Sequence, residues 1–343
     1  MYLSLLPPDA RAALLGNYIY GRAKADVVKI LGLGPSGAAL GAALGKAAVV
    51  ERSGRYFKAC GEAVPVETPM VGREYIVDRV KKYRFFSGDR LIGEVSYSKP
   101  RWYILDKAAW VESLRSAIEA EEWGDGVVVD ARGPYASRGE KLIVAMAYVE
   151  GMRREEETAD FIYPPGLTGF FWIFPHGGVY NVGGGFLGVR DPTPLVKEFA
   201  ARLGGRIRLL RGAPLTVMPQ IDLGVEGSYK IGEAAGLVYP LTGEGIRPGV
   251  LSALALAEAL KTRRPLEEYG RRVRHIVRQI ELQKRLLSLA ARLAARGGSI
   301  SLLADDALLR DYIEEELSAR GLFLALAKRP GAVARLVAAL LRR

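Results

Sequence analysis

The chain has 343 residues, of which 49% are hydrophobic and 25% are charged, which fits about two folded domains and excludes a disordered chain. A net charge of +11 favours an anionic partner or, alternatively, an arginine-rich thermostable surface. Cys60 is the only cysteine, which excludes an intrachain disulfide and favours a reducing, cytoplasmic compartment. The sequence contains no nucleic-acid motif, no metal-ligand cluster and no membrane-spanning run, so none of these is predicted.

The first recognisable unit follows an N-terminal extension, residues 1–24. Residues 25–31 are apolar and partly β-branched, which is typical of a buried parallel strand. Residues 35–46 are small and apolar, as in a helix that packs tightly on a sheet, and residues 47–50 have the composition of the next strand. Together they predict a β-α-β unit.

A glycine motif lies at the turn between the first strand and this helix. Gly32 allows a tight turn, Gly34 lets a pyrophosphate approach the backbone, and Gly37 lets the helix pack closely on the sheet. The free N–H groups at the helix start favour phosphates. Glu51 follows about 20 residues after the first glycine, where an acid binds ribose hydroxyls. The motif predicts dinucleotide binding; the alternative is a strand-to-helix turn without a ligand.

The remaining elements alternate between helical and strand patterns. Residues 106–123 predict an amphipathic helix with Trp110, Leu114 and Ile118 on one face. Further strands are predicted at residues 127–129, 143–149, 170–174, 179–182 and 229–231. Further helices are predicted at residues 194–203, 247–260 and, with breaks near residues 297–298 and 330–331, from 266 to the end. The strands between residues 143 and 182 indicate a second, more antiparallel sheet.

A second glycine segment spans residues 232–246. Glu233 follows a predicted strand, so its carboxylate is in a position to reach a hydroxyl of a bound cofactor. Gly245 and Ile246 lie at a predicted helix start, where N–H groups and the helix dipole stabilise an anionic flavin ring. The alternative is an ordinary glycine-capped loop before a helix.

A third glycine run, residues 183–188, also fits the dinucleotide spacing. No helix opens after it, and Arg202 stands where an acid is expected. This run therefore predicts a glycine-lined strand where the backbone and a ligand come close, not a separate nicotinamide-binding fold.

Two further motifs resemble the geranylgeranyl reductase family, in particular archaeal digeranylgeranylglycerophospholipid reductase-like flavoproteins. Residues 170–175 read Phe-Phe-Trp-Ile-Phe-Pro, similar to that family's aromatic-x-Trp-x-Phe-Pro motif, and residues 181–183 continue as Asn-Val-Gly. Residues 58–63 contain a Cys-Gly-Glu loop like the one near the flavin in that family. The resemblance covers roughly residues 25–260.

The resemblance implies an α/β (α+β) fold with four parts. A Rossmann-like FAD-binding domain of the aromatic-hydroxylase type is expected to be interleaved with a smaller antiparallel β-sheet substrate domain, followed by a helical C-terminus. The expected limits are residues 25–140 and 211–262 for the FAD-binding domain, 141–210 for the substrate domain, 263–343 for the helical region and 1–24 for the extension. The stretch near residue 127 is short, which indicates a trimmed version of the fold.

The resemblance also implies three sets of site residues. The residues expected to contact the ADP part of FAD are Gly32, Gly34, Ser36, Gly37 and Glu51. Those expected near a phosphate, the ribityl chain or the ring are Lys107, Cys60, Gly61, Ala63, Glu233, Gly245 and Ile246. Those expected to line a lipid pocket are Phe170, Trp172, Phe174 and Pro175. Glu233, Lys107 and Arg132 stand where the family commonly has Asp, Arg and Asp.

The implied activity is FAD-dependent saturation of prenyl double bonds in an isoprenoid lipid or prenyl diphosphate. Hydride addition to such a bond needs a proton donor, for which Cys60 and Tyr239 are candidates. His176 is expected either to contact a phosphate or to face solvent. The electron donor, NAD(P)H or ferredoxin, is left open. The alternatives are a flavin monooxygenase acting on an apolar substrate and a non-catalytic flavin-binding protein.

The C-terminal residues 320–343 mix apolar and basic side chains. This pattern predicts either a basic amphipathic helix in peripheral contact with the inner face of a membrane or a helix packed on the domain. A lipid substrate requires at least transient access to a membrane.

Overall fold

The computed structural model describes residues 27–51, 54, 56–295 and 305–327. The predicted N-terminal extension and the predicted helix breaks near residues 297–298 and 330–331 lie outside these residues. Among the described helices, none combines the length and the apolar character needed to cross a membrane.

A six-stranded sheet contains the predicted β-α-β unit. Its strands, in order across the sheet, are β15 (Gly224–Val225), β16 (Ser228–Lys230), β9 (Val128–Asp130), β1 (Lys29–Leu31), β2 (Lys46–Val50) and β8 (Glu119–Ala120). All neighbouring strands are parallel except β15 and β16. Helix α1 (Pro35–Leu44) joins β1 to β2 and packs against α4 (Ile246–Ala259). The central strand is apolar because helices cover the sheet, and Ile30 is fully buried.

A seven-stranded sheet forms the second layer. Its strands, in order, are β14 (Arg206–Gln220), β10 (Arg138–Glu150), β13 (Val179–Phe186), β12 (Gly169–His176), β11 (Thr158–Tyr163), β5 (Lys82–Ser87) and β6 (Arg90–Ser96). All pairs are antiparallel except β11 and β5. Side chains alternate along β12: Phe171 and Ile173 pack toward helix α3 (Thr193–Arg202), while Trp172 and Phe174 belong to a core on the opposite face.

Smaller elements complete the fold. A three-stranded sheet contains β3 (Ala63–Pro65), β7 (Trp102–Leu105) and β4 (Ile76–Val80), and helix α2 (Lys107–Ser116) follows β7. Short 3₁₀ helices occupy Arg73–Tyr75, Gly133–Tyr135 and Gly232–Ala235. The C-terminal helices are α5 (Pro265–Arg272), α6 (Arg274–Ala295), α7 (Asp306–Glu314) and α8 (Ala319–Ala327). The predicted fold class is confirmed: a parallel Rossmann-like sheet, an antiparallel sheet and a helical C-terminus.

Two details differ from the sequence predictions. The helix predicted for residues 106–123 is shorter: Asp106 caps it, and it ends at Ser116 because the chain turns back so that Glu119 and Ala120 pair with β2. Strands β3 to β8, β11, β14 and β15 were not predicted. Of these, β5, β6 and the second half of β14 extend the antiparallel sheet beyond residues 141–210, because β5 pairs with the distant strand β11 and β14 pairs with β10. The predicted domain limits otherwise remain a prediction.

Candidate functional site

A large cavity of about 1310 Å³ is lined by residues from both large sheets and from the C-terminal helices. Ligand pockets usually measure about 300–1,000 Å³, so this cavity has room for a large cofactor and a substrate together. Most of the predicted site residues line it: Gly32, Gly34, Ser36, Glu51, Cys60, Gly61, Ala63, Lys107, Phe170, Trp172, Phe174, Glu233, Gly245 and Ile246.

The first glycine motif forms one end of the cavity. Gly32 has a φ of +92°, and a Cβ there would lie 3.0 Å from the Ala131 carbonyl oxygen, so the tight turn after β1 requires glycine. Gly37 does not line the cavity; a Cβ there would overlap the Gly32 carbonyl oxygen, so it serves the close packing of α1 on the sheet. Helix α1 has no side-chain cap at its N-terminus, which lines the cavity. Its first N–H groups are therefore suited to bind phosphate.

The second glycine segment meets the first at Ser36. A Cβ at either Gly232 or Gly249 would overlap the Ser36 side chain, so the two segments are in direct contact. Helix α4 also begins without a side-chain cap, at Gly245, and Gly245 and Ile246 line the cavity. Two helix N-termini therefore adjoin one cavity, as expected for a dinucleotide bound at both ends.

Two acidic residues lie beside these helix starts. Glu51, at the end of β2, accepts a hydrogen bond from the Leu33 backbone N–H and lies 3.4 Å from the Arg115 guanidinium. Glu233 accepts the Thr216 backbone N–H at 2.7 Å and the Lys58 ammonium at 2.5 Å. Both carboxylates line the cavity as predicted. A ribityl hydroxyl that donates a hydrogen bond to the Glu233 carboxylate would bind beside the Lys58 ammonium, which already donates to it.

The Cys60 loop is held by a buried lysine. The ammonium of Lys107, which is 2% exposed, donates hydrogen bonds to the Lys58 carbonyl at 2.5 Å and to Cys60 Sγ at 2.8 Å. The Glu62 backbone N–H also donates to the sulfur at 3.3 Å. Burial alone would lower the pKa of Lys107, but the neighbouring Cys60, Tyr56 and Glu62 raise it. Lys107 thus fixes this loop, and its predicted phosphate contact remains a prediction.

Glu62 is a site residue that the sequence reasoning did not select. It is 5% exposed, and its φ of +58° is uncommon for a residue with a side chain. Its carboxylate accepts the Tyr148 hydroxyl at 2.5 Å and lies 2.9 Å from His176 Nε2. Burial would raise the pKa of Glu62, but Lys107, His176 and Tyr148 lower it. Burial would lower the pKa of His176, but Glu62 raises it. His176 therefore pairs with Glu62 instead of simply facing solvent, and its predicted phosphate contact remains a prediction.

These partners come from strands far along the chain, which is why spacing could not reveal the cluster. Tyr148 lies on β10 and His176 on β12, whereas Glu62 lies in the loop before β3. The one available signal was the Cys-Gly-Glu loop itself, which contains Glu62.

The aromatic motif on β12 forms a wall of the cavity. Phe170 and Phe174 lie 5.7 and 5.5 Å, between ring centroids, from Phe161 on the neighbouring strand. The Trp172 indole N–H donates to the Asn181 side-chain oxygen at 2.9 Å, and the Asn181 amide donates to the Cys60 carbonyl at 2.8 Å. The aromatic wall and the Cys60 loop are therefore tied together.

The remaining predicted positions have other environments. Tyr239 does not line the cavity; it is 1% exposed in the core under the six-stranded sheet, where burial raises its pKa. Pro175 is buried in β12 and also does not line the cavity. The third glycine run was predicted to let a ligand come close to the backbone. At Gly183 the group that comes close is the Trp172 ring, which a Cβ would overlap.

Comparison with known proteins gives structural neighbours only. No protein-family model matches the chain, and no curated protein matches its sequence. A geranylgeranyl bacteriochlorophyll reductase-like protein from Thermoplasma acidophilum is similar in structure, with a TM-score of 0.66, 18% identity, and coverage of 91% of this chain and 98% of its own. A flavoprotein/dehydrogenase from Cytophaga hutchinsonii gives a TM-score of 0.62 at 11% identity, covering 92% and 98%.

The flavin-dependent halogenase CmlS is similar as well, with a TM-score of 0.60, 15% identity, and coverage of 92% of this chain and 78% of its own. At these identities the likeness concerns the fold. The chain therefore has the fold shared by these flavin-dependent oxidoreductases and halogenases.

Proposed function

We propose that the cavity binds FAD, with the ADP part at the first glycine motif and the isoalloxazine ring near the start of α4. Two uncapped helix N-termini, at Gly34 and Gly245, adjoin the same cavity. Glu51 lies at the end of β2, where ribose binding is expected, and Glu233 lies near the second glycine segment. The shared fold with flavin-dependent enzymes supports this assignment.

We further propose that the enzyme saturates prenyl double bonds in an isoprenoid lipid or prenyl diphosphate. The observation that supports this most directly is the apolar extent of the cavity beyond the proposed flavin site. Its apolar wall includes Phe85, Ile92, Leu142, Val144, Phe161, Leu286, Leu293, Leu309 and Tyr312. A flexible hydrocarbon chain fits such a wall, and the reductase-like neighbour from Thermoplasma acidophilum is named for a related reaction.

The aromatic wall suits the charge that develops in this reaction. When bound and reduced, FAD would supply the hydride. Protonation of an unactivated alkene places positive charge on the more substituted carbon, and a nearby aromatic face stabilises such charge by about 1–2 kcal/mol in a dry site. Trp172 and Phe174 line the cavity, and Asn181 fixes the indole orientation. A Cβ at Gly61 would lie 2.5 Å from the Phe174 ring, so any larger residue in the loop would displace this ring.

The role of Cys60 as proton donor remains a prediction. Both the Lys107 ammonium and the Glu62 backbone N–H donate to its sulfur, so in this structure the sulfur accepts hydrogen bonds. Tyr239 lies outside the cavity lining, so a donation from it would need a rearrangement of the core.

We propose that the lipid reaches the cavity beside helix α8. Leu322 lines the cavity, and the neighbouring Phe323 and Leu324 are 70% and 48% exposed. Exposed apolar side chains next to an apolar cavity suit peripheral contact with a membrane.

The electron donor is proposed to be NAD(P)H or ferredoxin.

The function is tested with purified protein loaded with FAD, reduced without oxygen and mixed with a geranylgeranylated lipid. We expect the oxidised flavin absorbance to return and mass spectrometry to detect the saturated lipid. A saturated lipid added instead serves as the control and should leave the flavin reduced.

Other outcomes separate the alternatives. Flavin that stays reduced until air is admitted, followed by a hydroxylated product, would replace this proposal with a monooxygenase. Flavin that binds but supports no turnover would indicate a non-catalytic flavin-binding protein. Protein that takes up no FAD would overturn the cofactor assignment.

A further inference from the structure

Two buried carboxyl groups meet beside the start of helix α4. Glu244 lies in the loop directly before Gly245 and lines the cavity. Glu315, which follows α7, is 3% exposed and has a φ of +59°, an uncommon backbone conformation for a residue with a side chain. Both side chains contact Arg247, Glu244 through the Arg247 backbone N–H and Glu315 through the guanidinium, and each carboxyl affects the pKa of the other. The C-terminal helical region thus places a buried carboxyl group behind Glu244; Glu244 lines the cavity and Glu315 does not.

The surroundings supply too few hydrogen-bond donors for two carboxylates. Glu244 Oε1 accepts the Arg247 backbone N–H at 2.7 Å. Glu244 Oε2 and both oxygens of Glu315 are buried and receive no hydrogen bond from an N–H group of the described residues. The Arg247 guanidinium lies 3.3 Å from Glu315 Oε2 and is the cation of this cluster. Two carboxylates only accept hydrogen bonds, so a bond between them requires one proton.

The charges near the pair support the same conclusion. Burial raises the pKa of Glu244 to about 7, and burial together with the charge of Glu244 raises that of Glu315 well above its ordinary value. The other titratable groups that act on the pair are Arg247, Tyr239, Tyr312 and Glu67. One shared proton leaves a single negative charge to balance that of Arg247, as in carboxyl pairs that cannot both ionise.

We propose that Glu244 and Glu315 hold one proton between them and that Glu244 delivers it to the alkene during the proposed reduction. This inference rests on the proposed function. In the step, the Glu244 carboxyl provides a proton to one alkene carbon, and a bound reduced flavin would supply the hydride to the other. The alkene gains two electrons and two hydrogens, the flavin is oxidised, and both carboxyls are left ionised beside Arg247 until water returns the proton. Glu244 is the catalytic residue, and Glu315 is a positioning residue that acts through it.

The shared proton is tested by infrared spectroscopy of the FAD-loaded protein during a pH titration. We expect a protonated-carboxyl C=O band that is present at neutral pH and disappears only as the pH rises through the pKa of Glu315, which burial and the charge of Glu244 raise well above its ordinary value. Glu244→Gln and Glu315→Gln each retain a hydrogen-bond donor but leave a single carboxyl beside Arg247, so in both variants the band should disappear at a lower pH than in the wild type. Glu316→Gln is the matched control, because Glu316 is the exposed neighbour and should leave the band unchanged. A wild-type spectrum without the band at neutral pH would overturn the proposal.

Delivery of the proton is tested by single-turnover reoxidation of reduced flavin by the prenyl lipid. General acids contribute about 10²–10⁴-fold, so E244Q should slow reoxidation by at least about 100-fold while still binding FAD. E315Q should shift the pH optimum to more acidic pH and recover much of the rate there, because Glu244 alone beside Arg247 holds its proton less tightly. A merely structural role would lower the rate equally at all pH values.

The outcomes distinguish this inference from the proposed function. Wild-type turnover together with an unimpaired E244Q variant would overturn proton delivery and leave the proposed function intact. A wild-type protein that binds FAD but never reduces the lipid would overturn the proposed function and the delivery step together, and the infrared titration would still decide whether the pair shares a proton.

Discussion

The two ends of the cavity are built in different ways. The glycine end, residues 32–36 and 243–246, consists mainly of backbone and small side chains at the starts of two helices. The aromatic end, Phe161, Phe170, Trp172 and Phe174, consists of large side chains on neighbouring strands. Backbone N–H groups suit a charged phosphate, whereas aromatic faces suit a hydrocarbon and a transient cation. Damage at the glycine end should therefore abolish flavin binding, and damage at the aromatic end should leave the flavin bound and slow turnover.

The largest effect is expected from Gly37→Ala at the glycine end. The new Cβ would overlap the Gly32 carbonyl oxygen, a backbone atom that cannot move without displacing the turn. We expect a loss of about 3 kcal/mol in the free energy of unfolding, at the upper end for overpacking, and protein without bound FAD. Urea unfolding and the visible spectrum measure the two effects.

Gly41→Ala is the matched control on the same helix. Its Cβ would meet only side-chain atoms of Ile118, Cδ1 at 2.4 Å and Cγ1 at 2.9 Å, and no backbone atom, and alanine favours the helix in both variants. An unchanged, flavin-loaded G37A protein would contradict the view that close backbone packing builds the glycine end.

An intermediate effect is expected from Phe174→Leu at the aromatic end. Leucine fills most of the space but removes the π face, so flavin should remain bound while single-turnover reoxidation slows about tenfold, equivalent to roughly 1.4 kcal/mol. Phe171→Leu is the control, because Phe171 lies on the opposite face of β12, stacked on Phe199 at 4.3 Å between centroids. F171L should alter thermal stability without altering the rate. Equal rate losses in both variants would indicate general damage to the strand.

The smallest effect concerns the contact that joins the Cys60 loop to β12. The pKa of Glu62 is lowered, so its contribution to stability is present above its ordinary pKa and lost as the pH falls. The pKa of His176 is raised, so its contribution is complete below 6.5 and lost as the pH rises through the raised value. His176→Gln should lower the melting temperature by about 2 °C at pH 6 and by less at alkaline pH. A difference that stays constant with pH would rule out the ion pair as its cause.

The sequence was informative wherever the chemistry is local. Gly32, Gly37 and Glu51 belong to one β-α-β unit, so their spacing alone predicted the turn, the close helix and the acid at the end of the next strand. Residues 170–174 were likewise predicted as a strand from their local composition, and β12 contains them.

Pairings between distant segments lay beyond the sequence. Strands β5, β11 and β14 escaped prediction because each is completed by a strand far along the chain: β5 pairs with β11, and β14 pairs with β10. The helix from residue 107 was predicted too long because the sequence contains no capping signal at its end. The end is instead fixed by the pairing of β8 with β2.

The sequence by itself determined the α/β fold class, the two glycine segments and the aromatic strand, because each depends on residue types at short, regular spacing. Only the tertiary structure brought Ser36 against Gly232, Glu62 to His176, and Glu244 to Glu315. Such contacts depend on how the sheets and helices pack, and burial then sets the protonation of the acids. The physical reason is that charge and proton affinity at a buried site are properties of the surroundings, which no single segment of the chain contains.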